Sequence, residues 1–181
     1  RFYQVFFFFL LFLSSGALLS ENVFSFLVLN ELVFILVILL SYSYGPKLNR
    51  NDIFNILVSH FSSFLFIVSP LIFILFKGNT LFGFFSTNPE FIKDVLLKMN
   101  EENQSLVNLL ILLMSVGSFI KCSFFPFHGW TKISFLNLRK ELIFPIFGIL
   151  ILLSFYFLSV FLSPLVQEVA PSLTNLFLFL F

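Results

Sequence analysis

The sequence has little charge and almost no cysteine. Only 10% of its 181 residues are charged, 59% are hydrophobic, and the formal net charge is +1. This composition is typical of an integral membrane protein, and it excludes the basic patch that a nucleic-acid-binding protein needs. The single cysteine, Cys122, cannot form an internal disulfide and has no Cys or His companions at metal-ligand spacing. We therefore expect neither a disulfide scaffold nor a structural metal.

Sequence motifs of nucleotide-binding and hydrolytic proteins are also missing. The chain contains no GxGxxG, GxxxxGK(S/T), GxSxG or HExxH pattern. We expect no cofactor in this chain, and we expect its function to depend on protons, ions, lipids or partner subunits.

Long apolar segments dominate the chain and predict a single all-α membrane domain over residues 1–181. An apolar run of about 20 residues is long enough to cross the hydrocarbon core as a helix. Five runs are predicted to do so, at residues 2–19, 22–42, 53–76, 105–126 and 142–162, and residues 173–181 form a partial sixth. Nine helical residues rise only ~13 Å, so we expect this last segment to dock against a second chain.

One polar segment, residues 77–104, is predicted to stay outside the membrane. Within it Phe91, Val95, Leu96 and Met99 recur at helical spacing. This pattern predicts a short helix that lies on the membrane surface or against a partner. A solvated loop is the alternative interpretation.

The cations of the short loops collect on one face of the five-helix arrangement. The positive-inside rule assigns that face to the cytoplasm or the mitochondrial matrix. The fourth crossing segment is therefore predicted to run inward. The cations are Arg1, Lys47, Arg50, Lys132, Arg139 and Lys140.

The most unusual stretch reads KCSFFPFHGW, from Lys121 to Trp130, at the end of the fourth apolar run. An ammonium in hydrocarbon costs at least ~2.5–3.5 kcal/mol, so a lysine there indicates function unless it reaches the interface. Pro126 removes a backbone donor and clashes with the carbonyl of Cys122, which predicts a broken helix beside Lys121. The alternative is that Lys121 extends to the headgroups from a helix that ends at Phe125.

Two further titratable side chains interrupt the predicted crossing segments. Glu31 stands at the centre of the second one, so it must be either protonated or paired. A neutral Glu31 that hydrogen-bonds a neighbouring helix is the alternative. His60 lies in the serine-rich third segment, in which Pro70 predicts a kink. Histidine titrates near neutral pH, which suits a proton relay, while a hydrogen-bonded interior histidine is the alternative.

Together, and in this order, these parts resemble the antiporter-like membrane subunits of NADH:ubiquinone oxidoreductase, respiratory complex I. That family carries a glutamate before a leucine on one helix and K-x4-P-F/L-H-x-W on a broken helix. The second motif is specific, whereas the first is weak by itself. The chain is most similar to subunit 2, with subunits 4 and 5 as alternatives. The matching residues are Glu31, Leu32, Lys121, Pro126, Phe127, His128 and Trp130.

The resemblance implies an antiporter-like inverted-repeat bundle that translocates protons across the mitochondrial inner membrane. Lys121 and Glu31 would form the proton relay, since an ionised carboxylate stabilises the ammonium and its withdrawal favours proton release. NADH oxidation and ubiquinone reduction would take place in other subunits, so the enzyme activity would belong to the whole complex. The secondary relay or structural residues would be His60, His128, Pro126 and Trp130.

The chain also departs from the family pattern. Thr131-Lys132-Ile133 stands where the family has a Pro-Asp/Glu element, and the fifth segment has no lysine or histidine where the family usually places one. The resemblance covers family helices four to eight, so we expect a split subunit that another chain of the membrane arm completes. Two other functions remain open, a subunit of a cation/proton antiporter and a structural membrane subunit with a static Lys121–Glu31 bridge.

Overall fold

The computed structural model describes residues 2–44, 50–78, 88–124, 127–130 and 140–175, and these residues are almost entirely helical. No β-strand occurs among them, which confirms the predicted all-α class. The first five helices are α1 (Phe2–Leu18), α2 (Val23–Tyr44), α3 (Arg50–Lys77), α4 (Pro89–Glu102) and α5 (Gln104–Cys122). The sixth, α6, comprises an α-helix over Lys140–Tyr156, a π-helix over Phe157–Leu162 and an α-helix over Ser163–Val169, and a 3-10 turn over Pro171–Leu173 follows.

Four of these helices are long and apolar enough to cross a membrane. The crossing segments are Val23–Leu40, Asn51–Lys77, Gln104–Cys122 and Gly148–Val169. The fifth predicted crossing, at residues 2–19, coincides with α1, which is apolar but has only 17 residues. Such a helix rises roughly 25 Å, which is less than the hydrocarbon core of about 30 Å.

Large apolar side chains remain exposed along the outer faces of these helices. Phe8, Phe12 and Phe61 are examples, each more exposed than buried. An apolar surface of this extent on a folded chain marks a membrane interaction surface. The exposed side chains and the four long apolar helices together support a membrane protein.

The first two helices form a hairpin whose turn lies at residues 19–22. The backbone N–H of Ser20 donates to Ala17 O (3.2 Å), and that of Phe26 donates to Asn22 O (3.0 Å). Phe26 is fully buried and stacks on Tyr156 and Phe157 of α6, with ring centroids 5.7 Å apart in both pairs. This aromatic cluster holds the start of α2 against α6.

The short amphipathic helix predicted within residues 77–104 exists as α4, so the loop interpretation is wrong for this stretch. Pro89 occupies its first turn, where a missing N–H costs nothing. Its apolar face is buried against α3, α5 and α6 of the same chain, which corrects the expectation of a membrane surface or a partner. Asn103 then ends α4 and begins α5, because its Oδ1 accepts from Leu106 N (3.1 Å). The buried side chains are Ile92, Val95, Leu96 and Met99.

The last crossing helix ends later than its sequence predicted. The expected end was residue 162, whereas α6 continues to Val169 through Pro164. Immediately before this proline the helix widens into a π-turn, in which Ser163 N–H donates to Leu158 O. A π-turn shifts the hydrogen-bond pattern by one residue, so the helix passes a residue that lacks a donor. In contrast, residues 176–181 of the predicted partial sixth segment lie outside the described part of the chain.

Candidate functional site

The break in α5 lies at Ser123, one residue after the helix ends. Ser123 has φ 59° and ψ 32°, in the left-handed region, which costs a residue other than glycine about 1–2 kcal/mol. Phe124 N donates to Phe119 O (3.1 Å), five residues back, which closes the helix C-terminus in the manner of a Schellman motif. The break therefore begins before Pro126, to which the sequence argument attributed it and which lies outside the described residues.

Trp130 returns to the end of α5 and satisfies one of its last carbonyls. The indole Nε1 donates to Ile120 O over 2.8 Å, and Trp130 is buried. The last four carbonyls of a helix have no partner within it, and hydrocarbon offers none. Trp130 thus stabilises a helix end inside the bundle and fixes the turn that carries Lys121.

Lys121 forms an ion pair with Glu31, so the structure brings together the two titratable residues that the sequence singled out. The ammonium of Lys121 donates to Glu31 Oε1, and the side-chain exposures are 4% and 22% respectively. From Glu31, α2 continues to Tyr44, a rise of about 20 Å. Lys121 therefore pairs inside the bundle, at the middle of α2.

A close approach between α3 and α5 positions Lys121 one turn beyond Gly117. A Cβ atom built on Gly117 would lie 2.8 Å from Ser63 O and 2.8 Å from Ile67 Cγ1. Small residues allow membrane helices to pack at such short distances. Ser118 beside it donates to Met114 O (2.8 Å) on its own helix, so its hydroxyl is already satisfied.

His60 contacts two aromatic rings. Its imidazole stacks on Phe34 (centroids 3.4 Å apart, 15° between planes) and lies nearly perpendicular to the ring of Trp130 (centroids 4.4 Å apart, 77°). The side chain is buried, and neither ring nitrogen has a hydrogen-bond partner among the residues that the structure describes. The interpretation of His60 as an interior residue is confirmed, whereas the hydrogen bond that it assumed is not found among these residues.

His128, the other candidate histidine, does not belong to the buried group. His128 is exposed, in contrast to buried Trp130 two residues later.

Sequence reasoning missed two residues of the site, Phe34 and Gly117. Phe34 follows Glu31 by three residues and so shares its helix face, and Gly117 lies within the small-residue stretch from Ser115 to Ser118, a pattern typical of membrane helix contacts.

The charges and nitrogens of this site suit proton transfer better than metal binding. The described residues contain no group of three or more His, Cys, Asp or Glu side chains that could hold a metal ion. A buried amine, a carboxylate and an imidazole can each take up and release a proton.

No protein-family model, curated protein or solved structure matches the chain.

Proposed function

We propose that this chain is a proton-translocating subunit of the membrane arm of respiratory complex I, most like subunit 2, in the mitochondrial inner membrane. Lys121 and Glu31 form its proton relay, while redox chemistry takes place in other subunits. The observation that carries the proposal is the buried Lys121–Glu31 pair, inside the bundle where α5 ends.

The energetics of the pair support a role other than stability. Removing two charges from water costs several kcal/mol each, and well-packed apolar residues often serve stability as well as a buried ion pair does. The cost is higher for Lys121, which is almost fully enclosed, than for Glu31. Charges inside a membrane domain that do not improve stability are typical of proton and ion pathways.

The arrangement makes proton release depend on the position of one carboxylate. While Glu31 accepts from the ammonium, the positive charge of Lys121 is compensated. If the carboxylate moves to another partner, an unpaired ammonium is left in a low-dielectric environment, which favours the neutral amine. Glu31 is the more open member of the pair and is the side chain with room to move.

The wider assembly belongs to the same proposal. The described helices form part of an antiporter-like inverted-repeat bundle, with α1 as a fifth crossing helix, and they pack against other subunits of the membrane arm. Chemical crosslinking of the assembled membrane arm tests this arrangement, since it requires a second polypeptide beside these helices.

Two substitutions test the relay. Lys121→Ala and Glu31→Gln are each expected to lower the number of protons translocated per NADH oxidised while the complex stays assembled. Lys93→Ala is a matched control, because Lys93 lies on α4, outside the crossing helices, and is half-buried. Unchanged stoichiometry in both relay variants would instead assign a static bridge. Co-purification with a cation exchanger in place of respiratory subunits would assign an antiporter.

A further inference from the structure

We propose that His60 is the next proton carrier of this site and accepts, directly or through one water, the proton that Lys121 releases. This inference rests on the proposed function of the Lys121–Glu31 pair. Residues 142–162 of α6 contain no lysine or histidine. The next proton carrier is therefore placed on α3.

Successive contacts on both α2 and α5 connect His60 with the ion pair. Lys121 bonds Glu31, and Phe34, one turn further along α2, stacks on His60. Trp130 also contacts the imidazole with its ring, and its Nε1 donates to Ile120 O. Ile120 directly precedes Lys121, so a movement of the last turn of α5 also moves a wall of the imidazole site.

The two ring nitrogens are the observation that singles out His60. A neutral imidazole has one N–H donor and one acceptor nitrogen, and buried polar atoms normally have partners. The side chain is only 4% exposed, yet both nitrogens lack partners within the described residues. A phenylalanine would fill the same aromatic stack without burying two polar atoms, so packing alone does not account for a histidine here.

The step balances as a simple proton transfer. The proton leaves Lys121 Nζ, which becomes a neutral amine, and binds the lone pair of the imidazole, which becomes an imidazolium. One positive charge thereby moves from α5 to α3. The titratable groups on the elements packed around His60 are Glu31 of α2, Lys121 and Cys122 of α5, and the exposed His128.

Two substitutions separate a proton carrier from a packing residue. His60→Phe keeps an aromatic ring and removes the nitrogens, whereas His60→Gln keeps polar atoms and removes the ring. Both are expected to lower proton translocation by the assembled complex about tenfold or more, since positioned proton-transfer groups contribute ~10²–10⁴ in rate. Ser59→Ala is the control, because its hydroxyl only donates to Asn55 O of the same helix. Translocation at the wild-type level in His60→Phe would overturn the proposal.

A second measurement decides the question even if His60→Phe fails to assemble. The chain has two histidines, so ¹⁵N-histidine NMR of the full chain in lipid bilayers resolves His60 beside His128. We expect the protonated fraction of His60 at a given pH to be larger in Lys121→Met, because an ammonium no longer repels the imidazolium. A protonated fraction that is the same in the two proteins overturns the proposal. Unaffected proton pumping in Lys121→Ala would instead reject the proposed function itself.

Discussion

Two Lys–Glu pairs in this chain have the same chemistry and opposite surroundings. Lys121–Glu31 joins two crossing helices inside the bundle, with side-chain exposures of 4% and 22%. Lys93–Glu168 joins α4 to the end of α6, with exposures of 34% and 49%. Surface pairs contribute little to stability because water screens both charges, whereas a buried charge that loses its partner is costly. The burial of an ion pair therefore decides how much the loss of one partner destabilises the fold.

The two pairs also differ in what else holds their helices together. Beside the exposed pair, Asn100 Nδ2 donates to Val169 O (3.4 Å) and Asn108 Nδ2 donates to Ser172 Oγ (3.3 Å), so neutral contacts support the same junction. Around the buried pair, the hydroxyls of Ser63 and Ser118 bond carbonyls of their own helices. The negative charge that compensates Lys121 is that of Glu31, since these serine hydroxyls are neutral.

The largest effect on stability is expected for Glu31→Ala. It removes the carboxylate from an almost fully enclosed ammonium, which typically costs ~3–5 kcal/mol. Lys121→Met should cost less, because methionine is apolar and Glu31 is the less enclosed partner. Unfolding of the purified chain in mixtures of mild detergent and SDS measures both free energies. The double variant Glu31→Leu/Lys121→Met is expected to regain most of the loss, and an additive loss would contradict direct pairing.

An intermediate effect on stability is expected for Gly117→Val. This substitution changes the packing around the buried pair and leaves both charges in place. The new side chain meets Ser63 O and Ile67 within 2.8 Å, so α3 and α5 must separate, at a cost of about 1–3 kcal/mol. The same substitution should weaken proton translocation, because it moves Lys121 relative to Glu31. Gly148→Val is the control, since among the described residues no atom beyond its own helix backbone and chain neighbours lies within 4 Å of a Cβ at that position. Equal unfolding free energies for the two variants would contradict the close approach.

The smallest effect is expected for Lys93→Ala, because the pair is exposed and its junction has other contacts. The hydrogen bond with Glu168 raises the pKa of Lys93 above its usual value, although partial desolvation acts in the opposite direction. Since the folded pKa is the higher one, the stabilisation is complete below the unfolded pKa and disappears as pH rises through the folded pKa. Any difference in unfolding between wild type and variant should therefore disappear as pH rises through the raised pKa of Lys93. A difference that grows with pH would contradict this assignment.

Local sequence patterns predicted the parts of the fold that depend on one helix at a time. The apolar spacing of Val95, Leu96 and Met99 predicted α4, because a helix exposes and buries faces with a fixed period. The surface that α4 covers could not be predicted, since that depends on where α3 and α6 end. Likewise, a proline in the sequence did not end α6, because a π-turn upstream of Pro164 changed the hydrogen-bond pattern.

In the candidate site, too, some features were predicted from the sequence and others depend on the tertiary structure. Its two charged members stood out because a lysine and a glutamate in apolar surroundings are costly wherever the helices pack. Their apolar surroundings favoured a functional or paired role for each, and only the family resemblance implied that they pair with one another across 90 positions of the chain. The contacts of His60 with Phe34 and Trp130 were not foreseen, because aromatic residues are so common in this chain, with 32 phenylalanines, that no single one is distinctive.

The sequence by itself determined an apolar helical membrane chain with titratable side chains in its crossing segments, because hydrophobic length and the cost of buried charge are properties of each segment. Tertiary structure decided which of those side chains meet. The end of α5 at Ser123, the close approach at Gly117 and the return of Trp130 place Lys121 against Glu31 and His60 against two aromatic rings. These contacts depend on backbone geometry and packing between distant helices, which no single stretch of sequence specifies.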